Sequence, residues 1–376
     1  MAIQSTHVNS ANVIPMDELG NFLKQNIQTL HEDPSLADSL PPVMIWGSPG
    51  LGKSTIVKTV AKELGIEFRD IRLAQIESVD IRGLPSVDKE NGTMKWNAPD
   101  FWPRDPESKG IIFLDEISAC PKDVAVAAYQ LILDRKLGDF YEVPKGWYIV
   151  AAGNKTTDRA VSMTMSSALA NRFLHVEVEA DAEEWCNWAY RNDIHPAVTG
   201  FIKYRPNLIF NMADENLERG WPSPRAWEKV STMSKIYSGN IDLLRKIVYG
   251  LIGNHAGIEF VEYFKMASKF DDVLEMLLGK KPITVPTKSD EKYALVSAVI
   301  YHAWKGKDEK ESLARLSGVF NIANQMTADF AAMMICAVAN GTNTISKCDA
   351  IKTLCKCPKW KEFSKKHGSI IKKYMI

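Results

Sequence analysis

The chain has no excess of charge of either sign: Lys plus Arg and Asp plus Glu each number 46 in 376 residues. No global basic field draws it to nucleic acid, although a zero balance still permits a local patch. It has no run of 18 apolar residues free of charge, so nothing in it is expected to span a membrane. The first ten residues, MAIQSTHVNS, lack a basic stretch followed by an apolar one, so no secretory leader is expected. The six cysteines (Cys120, Cys186, Cys336, Cys348, Cys355 and Cys357) form no disulfide framework, and free thiols in a reducing, cytoplasmic compartment are expected. Cys348, Cys355 and Cys357 fit no common zinc spacing and lack an obvious fourth ligand. There are no internal repeats and no low-complexity segments. What is left is an ordinary globular composition, 45% hydrophobic and 24% charged, long enough for two or three domains.

Against that plain background one segment stands out. Residues 47–54 read GSPGLGKS and follow a short apolar stretch, Val43 to Trp46. The pattern G-x-x-x-x-G-K-[ST], set where a buried strand hands over to a helix, makes a phosphate-binding loop. Gly47, Gly50 and Gly52 let the backbone curl so that its N–H groups point inward. Lys53 reaches the β- and γ-phosphates as a point charge, and the Ser54 hydroxyl can ligate Mg²⁺. The helix expected over Thr55 to Leu64 adds its positive end and stops at Gly65. A nucleoside triphosphate is the expected ligand.

Downstream, Ile66 to Leu73 reads as a second strand. The turn-rich stretch from Asp80 to Pro103 contains Asn91-Gly92, which predicts a type I′ hairpin inserted into the α/β core. GIIFLDE, Gly110 to Glu116, reads as a buried parallel strand ending in two carboxylates 62 positions after Lys53. Asp115 would hold Mg²⁺ through its water shell, and Glu116 would polarise the attacking water. Lys122 to Asp134 has helical periodicity, followed by a polar turn. Trp147 to Ala152 is another buried strand ending at Gly153-Asn154. Asn154 either orients the lytic water or closes the strand as an Asx-turn residue. Arg172 precedes a final strand, FLHVEVE. It is either a surface residue or a cation reaching a neighbouring chain, and spacing does not decide. From Asp181 the pattern turns helical, over 181–192, 194–204 and 224–238. Arg225 sits at a helix start behind two prolines, where a cation opposes the macrodipole unless an anion is near.

Taken in order, GSPGLGKS, IIFLDE, AAGN, ALANRF and SPRAW resemble the AAA+ ATPases, and their MoxR-like branch in particular. The likeness covers roughly residues 40–240. It implies that Gly47, Ser48, Pro49, Gly50, Leu51, Gly52, Lys53, Ser54 and Thr55 bind ATP. Ser54 and Asp115 would serve Mg²⁺, Glu116 would be the catalytic carboxylate and Asn154 the first sensor. Arg172 would be the arginine finger, with Arg159 a second candidate, and Arg225 the second-sensor arginine. DIRGLP is similar to the family's substrate-facing insertion, so Ile81 and Leu84 are expected to face a partner. The implied fold is α/β: an AAA+ P-loop αβα core with a five-stranded parallel sheet, an α-helical lid and a further helical region. The expected division is 1–40 helical lead-in, 41–180 core, 181–240 lid and 241–376 helical region of no assigned role.

The implied activity is ATP hydrolysis by a homo-oligomeric ring, a hexamer in most such proteins, that remodels or assembles a macromolecule. A partner with a von Willebrand A-type domain is common for MoxR-like proteins. Two alternatives stand beside this: a DNA-directed motor or loader, and a nucleotide-gated assembly protein whose turnover is incidental. The hint of nucleic acid is a lysine-rich C-terminal stretch, with Lys347, Lys352, Lys356, Lys359, Lys361, Lys365, Lys366, Lys372 and Lys373.

Overall fold

The computed structural model describes residues 13–155, 165, 167–212 and 220–374. It divides into two compact units, Met1–Glu179 and Ala180–Ile376. Arg159 and Ser166 lie outside the described residues.

In the first unit, α1 (Met16–Glu32) buries Leu19, Leu23, Ile27 and Leu30 on one face, as their spacing of three and four requires. Lys24 of this helix pairs with Glu63. The sheet follows from runs too apolar for a solvent-facing strand. They are β1 (Val43–Trp46), β2 (Glu67–Arg72), β5 (Gly110–Asp115), β8 (Trp147–Gly153) and β9 (Leu174–Glu177). Ile111 to Leu114 and Val150 to Ala152 are wholly buried, because helices cover both faces. The strands are all parallel, in the order β2-β5-β8-β1-β9. Helices α2 (Lys53–Leu64) and α4 (Lys122–Asp134) connect them, and a short α5 (Ser167–Ala170) precedes β9. Helix α2 starts two residues earlier than the periodicity suggests, because Lys53 and Ser54 already have helical backbone.

The insertion differs from its expected form in two ways. It begins with a five-residue helix, α3 (Ser78–Arg82), whose Ile81 is fully buried in the core with Trp102; the Trp102 Nε1–H donates to the Ile81 carbonyl at 3.0 Å. Ile81 is therefore a core residue and not part of an exposed surface. The hairpin proper, β3 (Leu84–Asp88) and β4 (Thr93–Asn97), closes at Asp88–Thr93, leaving a four-residue loop rather than a type I′ turn. Only Gly92 of that loop has positive φ (65°), and the Asp88 carboxylate accepts the Glu90 and Asn91 N–H groups in Asn91's stead. The polar turn after α4 also holds a small antiparallel ladder, β6 (Lys136–Leu137) with β7 (Tyr141–Glu142).

The second unit is entirely helical among its described residues. Helices α6 (Ala182–Arg191), α7 (Pro196–Tyr204), α8 (Pro224–Ile236), α9 (Ile241–Ile252), α10 (Asn254–Ala267) and α11 (Val273–Leu277) come first. Then follow α12 (Ser289–Ala303), α13 (Glu309–Ala323), α14 (Ala328–Ala339), α15 (Lys347–Lys356) and α16 (Trp360–Tyr374). Leu295 to Ile300 of α12 are buried on every side, the mark of a central helix. One apolar cluster runs from Trp185 through Trp227, Leu244 and Phe260 to Phe363, so residues on both sides of position 240 share a core.

Candidate nucleotide site

The register of the sheet assembles the site. Trp46 is level with Gly153 on one side and Glu177 on the other, and Leu114 is level with Ala151. Gly47, Asp115 and Asn154 therefore leave the sheet at the same carboxyl edge, where open α/β sheets bind ligands.

The loop needs its glycines for separate reasons. A Cβ on Gly47 would come within 2.8 Å of the Val178 carbonyl and side chain, so the residue just past β9 leaves no room for one. Gly52 has φ 103°, which an L side chain rarely adopts, and it caps α2 without a side-chain contribution. That frees the first N–H groups of α2 for an anion.

Lys53 is buried. Its Nζ donates to the Gly47 carbonyl (2.5 Å), the Ser48 carbonyl (3.1 Å) and Asn154 Oδ1 (3.2 Å). The ammonium is thus held inside the loop and next to the asparagine at the tip of β8. Ser54 is half-buried and Thr55 exposed on the first turn of α2.

At the end of β5, burial pushes the Asp115 carboxyl above its ordinary range. The Glu116 N–H, which it accepts at 2.9 Å, and the Lys53 charge pull it down, while Asp70 and Glu116 push it up. A carboxylate in this setting gains from a nearby divalent cation. Among the described residues no three His, Cys, Asp or Glu side chains gather into a metal cage. The residues present fit Mg²⁺, which binds through one or two protein oxygens with the rest from phosphate and water. Glu116 itself has φ 58°, left-handed and unusual for a non-glycine residue, at a cost on the order of 1 kcal/mol. The turn that imposes it is closed by the Ala119 N–H to the Glu116 carbonyl at 2.9 Å.

Two side chains here are not marked by spacing in the sequence. The Ser118 hydroxyl accepts the Asn154 N–H at 3.0 Å. Lys155 pairs with Glu177 (2.8 Å) and Glu179 (3.4 Å), tying the ends of β8 and β9 together.

The two arginines come from other elements of the chain. Arg172 is exposed and precedes β9, where Leu174 is level with Val43, at the amino edge of the sheet. It lines a cavity of about 530 Å³ with Asp38, Asp134, Arg135 and Glu142. Arg225 belongs to the second unit, exposed on the first turn of α8, whose Ala226 N–H the Ser223 hydroxyl accepts. Its charge draws down the Glu228 carboxyl, which burial pushes up, so this helix start has an anionic neighbour of its own.

A five-stranded parallel sheet in this order, with a phosphate loop after its first strand and a helical unit following, is the AAA+ fold. Residues 42–173 match the AAA domain of the dynein-related subfamily. Among curated proteins, the RuvB subunit of the Holliday junction branch migration complex of Acholeplasma laidlawii (strain PG-8A) is 29% identical over 100 residues. The match takes 27% of this chain and 25% of that one, so the chain spans about a quarter of the relative's length. Among solved structures, a proposed ATPase of Cytophaga hutchinsonii is similar over 66% of this chain and 96% of its own, at 15% identity and TM-score 0.32. The RuvB branch migration motor of Thermotoga maritima is similar over 89% and 86%, at 13% identity and TM-score 0.32. Similarity at this level assigns no activity, substrate or partner to this chain. No helix among the described residues is long and apolar enough to cross a membrane.

Proposed function

We propose that this chain is an Mg²⁺- and ATP-dependent ATPase of the MoxR-like kind, working as a ring, with a hexamer favoured, in the cytoplasm. It hydrolyses ATP to ADP and phosphate and uses the cycle to remodel or assemble a macromolecular partner, a von Willebrand A-type protein among the candidates. The observation that carries this reading is the meeting of the loop, Lys53, Asp115, Glu116 and Asn154 at one sheet edge while Arg172 stands at the other.

In this reading the loop N–H groups and Lys53 hold the triphosphate, and Ser54 and Asp115 hold Mg²⁺. When bound, Mg²⁺ would neutralise charge on the phosphates. Glu116, aimed by its left-handed backbone, orients water together with Asn154. Arg172 lies several residues of strand from its own loop, on the order of 10 Å at about 3.3 Å per residue. An arginine so distant serves a neighbour's γ-phosphate, and such a residue in trans accelerates hydrolysis by about 10³-fold or more. Arg225 reports the state of the nucleotide to the helical unit. The β3–β4 hairpin touches the partner: Leu84, Val87 and Met94 on it are each about two-thirds exposed or more, and Trp96 stacks on Phe140 of the β6–β7 turn.

The test is assembly. Turnover per chain should rise with protein concentration until rings are complete. Arg172→Ala should keep ATP affinity within a few-fold but lose most turnover, and mixing it with Lys53→Ala should restore some. Turnover that stays flat down to concentrations where light scattering shows only monomers would sink the ring and the trans arginine together. A second reading, a DNA-directed motor, is favoured by the exposed lysines Lys347, Lys356, Lys361 and Lys365 on the last two helices. DNA-stimulated turnover that weakens with salt would move the assignment there.

A further inference from the structure

The carboxylate and the amide that flank the phosphate loop come from different strands, and something must fix their separation. Beyond the last paired residues of β5 and β8, the Ile117 N–H still reaches the Ala152 carbonyl at 3.1 Å. The chain then turns so that the Ser118 side chain lies under the tip of β8. Ser118 is 3% exposed, and its Oγ accepts the Asn154 N–H at 3.0 Å. The fit is close. A Cβ on Gly153 would stand 3.0 Å from that oxygen, 3.1 Å from the Ser118 Cβ and 2.7 Å from Met44 Cε. The same short turn holds Glu116 in its left-handed conformation at one end and grips the Asn154 backbone at the other. Asn154 in turn presents its Oδ1 to Lys53 at 3.2 Å.

We propose that Ser118 is a positioning residue for ATP hydrolysis, acting through Asn154: its hydroxyl sets where the amide stands relative to Glu116. The proposal rests on the hydrolytic reading above. Ser118 is not expected to touch nucleotide; its effect is on the alignment of groups that do. Loss of the hydroxyl removes the acceptor of the Asn154 N–H and frees the tip of β8 to drift. A displacement near 1 Å at a reacting centre costs up to about 10²-fold in rate.

The experiment compares Ser118→Ala, Asn154→Ala and the double variant in the full-length protein. ATP affinity is read by calorimetry, turnover by phosphate release and folding by thermal melt. Ser118→Ala is expected to bind ATP within about twofold of the parent and to turn over about 10-fold more slowly or worse. The double variant is expected to be no slower than Asn154→Ala alone, because residues acting through one another do not add. Rate losses that multiply in the double variant, or a Ser118→Ala turnover within twofold of the parent, overturn the proposal. So does an affinity loss as large as the rate loss. Should Ser118→Ala fail to fold, Ser118→Gly, which likewise has no hydroxyl to accept the Asn154 N–H, is read by the same criteria. A parent protein that binds ATP but never hydrolyses it at any concentration refutes the hydrolytic reading itself. Additive losses in an active parent refute Ser118 alone.

Discussion

Ile81 and Leu84 are three residues apart at the root of the same insertion, yet their side chains have opposite fates. Ile81 is fully buried and Leu84 is 66% exposed. Truncating Ile81 to Ala removes three carbons from a close-packed site, about 0.8 kcal/mol each in transfer terms, and leaves a cavity that α3 and Trp102 only partly close. The expected cost is about 3–4 kcal/mol. For a unit of this size that lowers the melting temperature on the order of 10 °C. Leu84→Ala gives up only the buried third of its side chain, about 0.5 kcal/mol, and should melt within a few degrees of the parent. Calorimetry of the full-length protein, with and without ATP, separates the two, because ATP should stabilise the unit that holds the loop. Functionally, Leu84→Ala should hydrolyse ATP at the basal rate and respond less to the partner. Replacing both residues at once would mix a folding defect with a contact defect. An Ile81→Ala protein that melts with the parent, or a Leu84→Ala protein that loses as much as Ile81→Ala, would refute this division between core and surface.

Lys53→Ala should abolish detectable ATP binding, since the triphosphate charge loses its buried counter-cation; near-parental affinity in calorimetry counts against the loop assignment. Glu116→Gln should retain ATP and lose hydrolysis, and parental turnover in that variant removes Glu116 from the chemistry. Acid should weaken the helical unit. Burial, with Lys235 opposing charge on the ring, lowers His195 to about 4, and burial with Lys305 and Arg315 does the same to His302. Both fold neutral and unfold with the ordinary value near 6.5, so the unfolded chain binds more protons between those limits. Their contribution is complete above about pH 6.5 and lost as pH falls towards 4, at most about 3 kcal/mol each. Asp193, held at about 2 by Lys235 and Lys305 against burial, titrates below that window. His195→Asn, which keeps an acceptor for the Ala197 N–H but cannot titrate, should flatten about half of the change in urea midpoint between pH 7 and 4.5. A midpoint independent of pH across that range contradicts it.

The parts of this protein that were legible in its sequence are those where chemistry dictates residue type over a short span. A phosphate loop needs glycine, lysine and a hydroxyl within eight positions, and a strand buried on both faces needs an unbroken apolar run such as IIFL. Both can be read locally. Lys122 to Asp134 has the same bounds in the structure as in the pattern, because a helix with one apolar face carries its period in every turn. What escaped depends on contacts made across the fold. Asn91-Gly92 is a turn signal whether the loop has two residues or four, and the choice fell to Asp88, whose carboxylate accepts two loop N–H groups. Ile81 sits among turn residues but is recruited to the core by Trp102, 21 positions away. Ser118 is one more small polar residue after an acidic pair until the register of β5 against β8 brings it under Asn154. A hydroxyl at that point is therefore informative only with the sheet in hand. The same holds for Arg172: its sequence neighbours are silent about position, and only the register of β9 against β1, with Leu174 level with Val43, puts it at the amino edge of the sheet while the phosphate loop leaves the carboxyl edge.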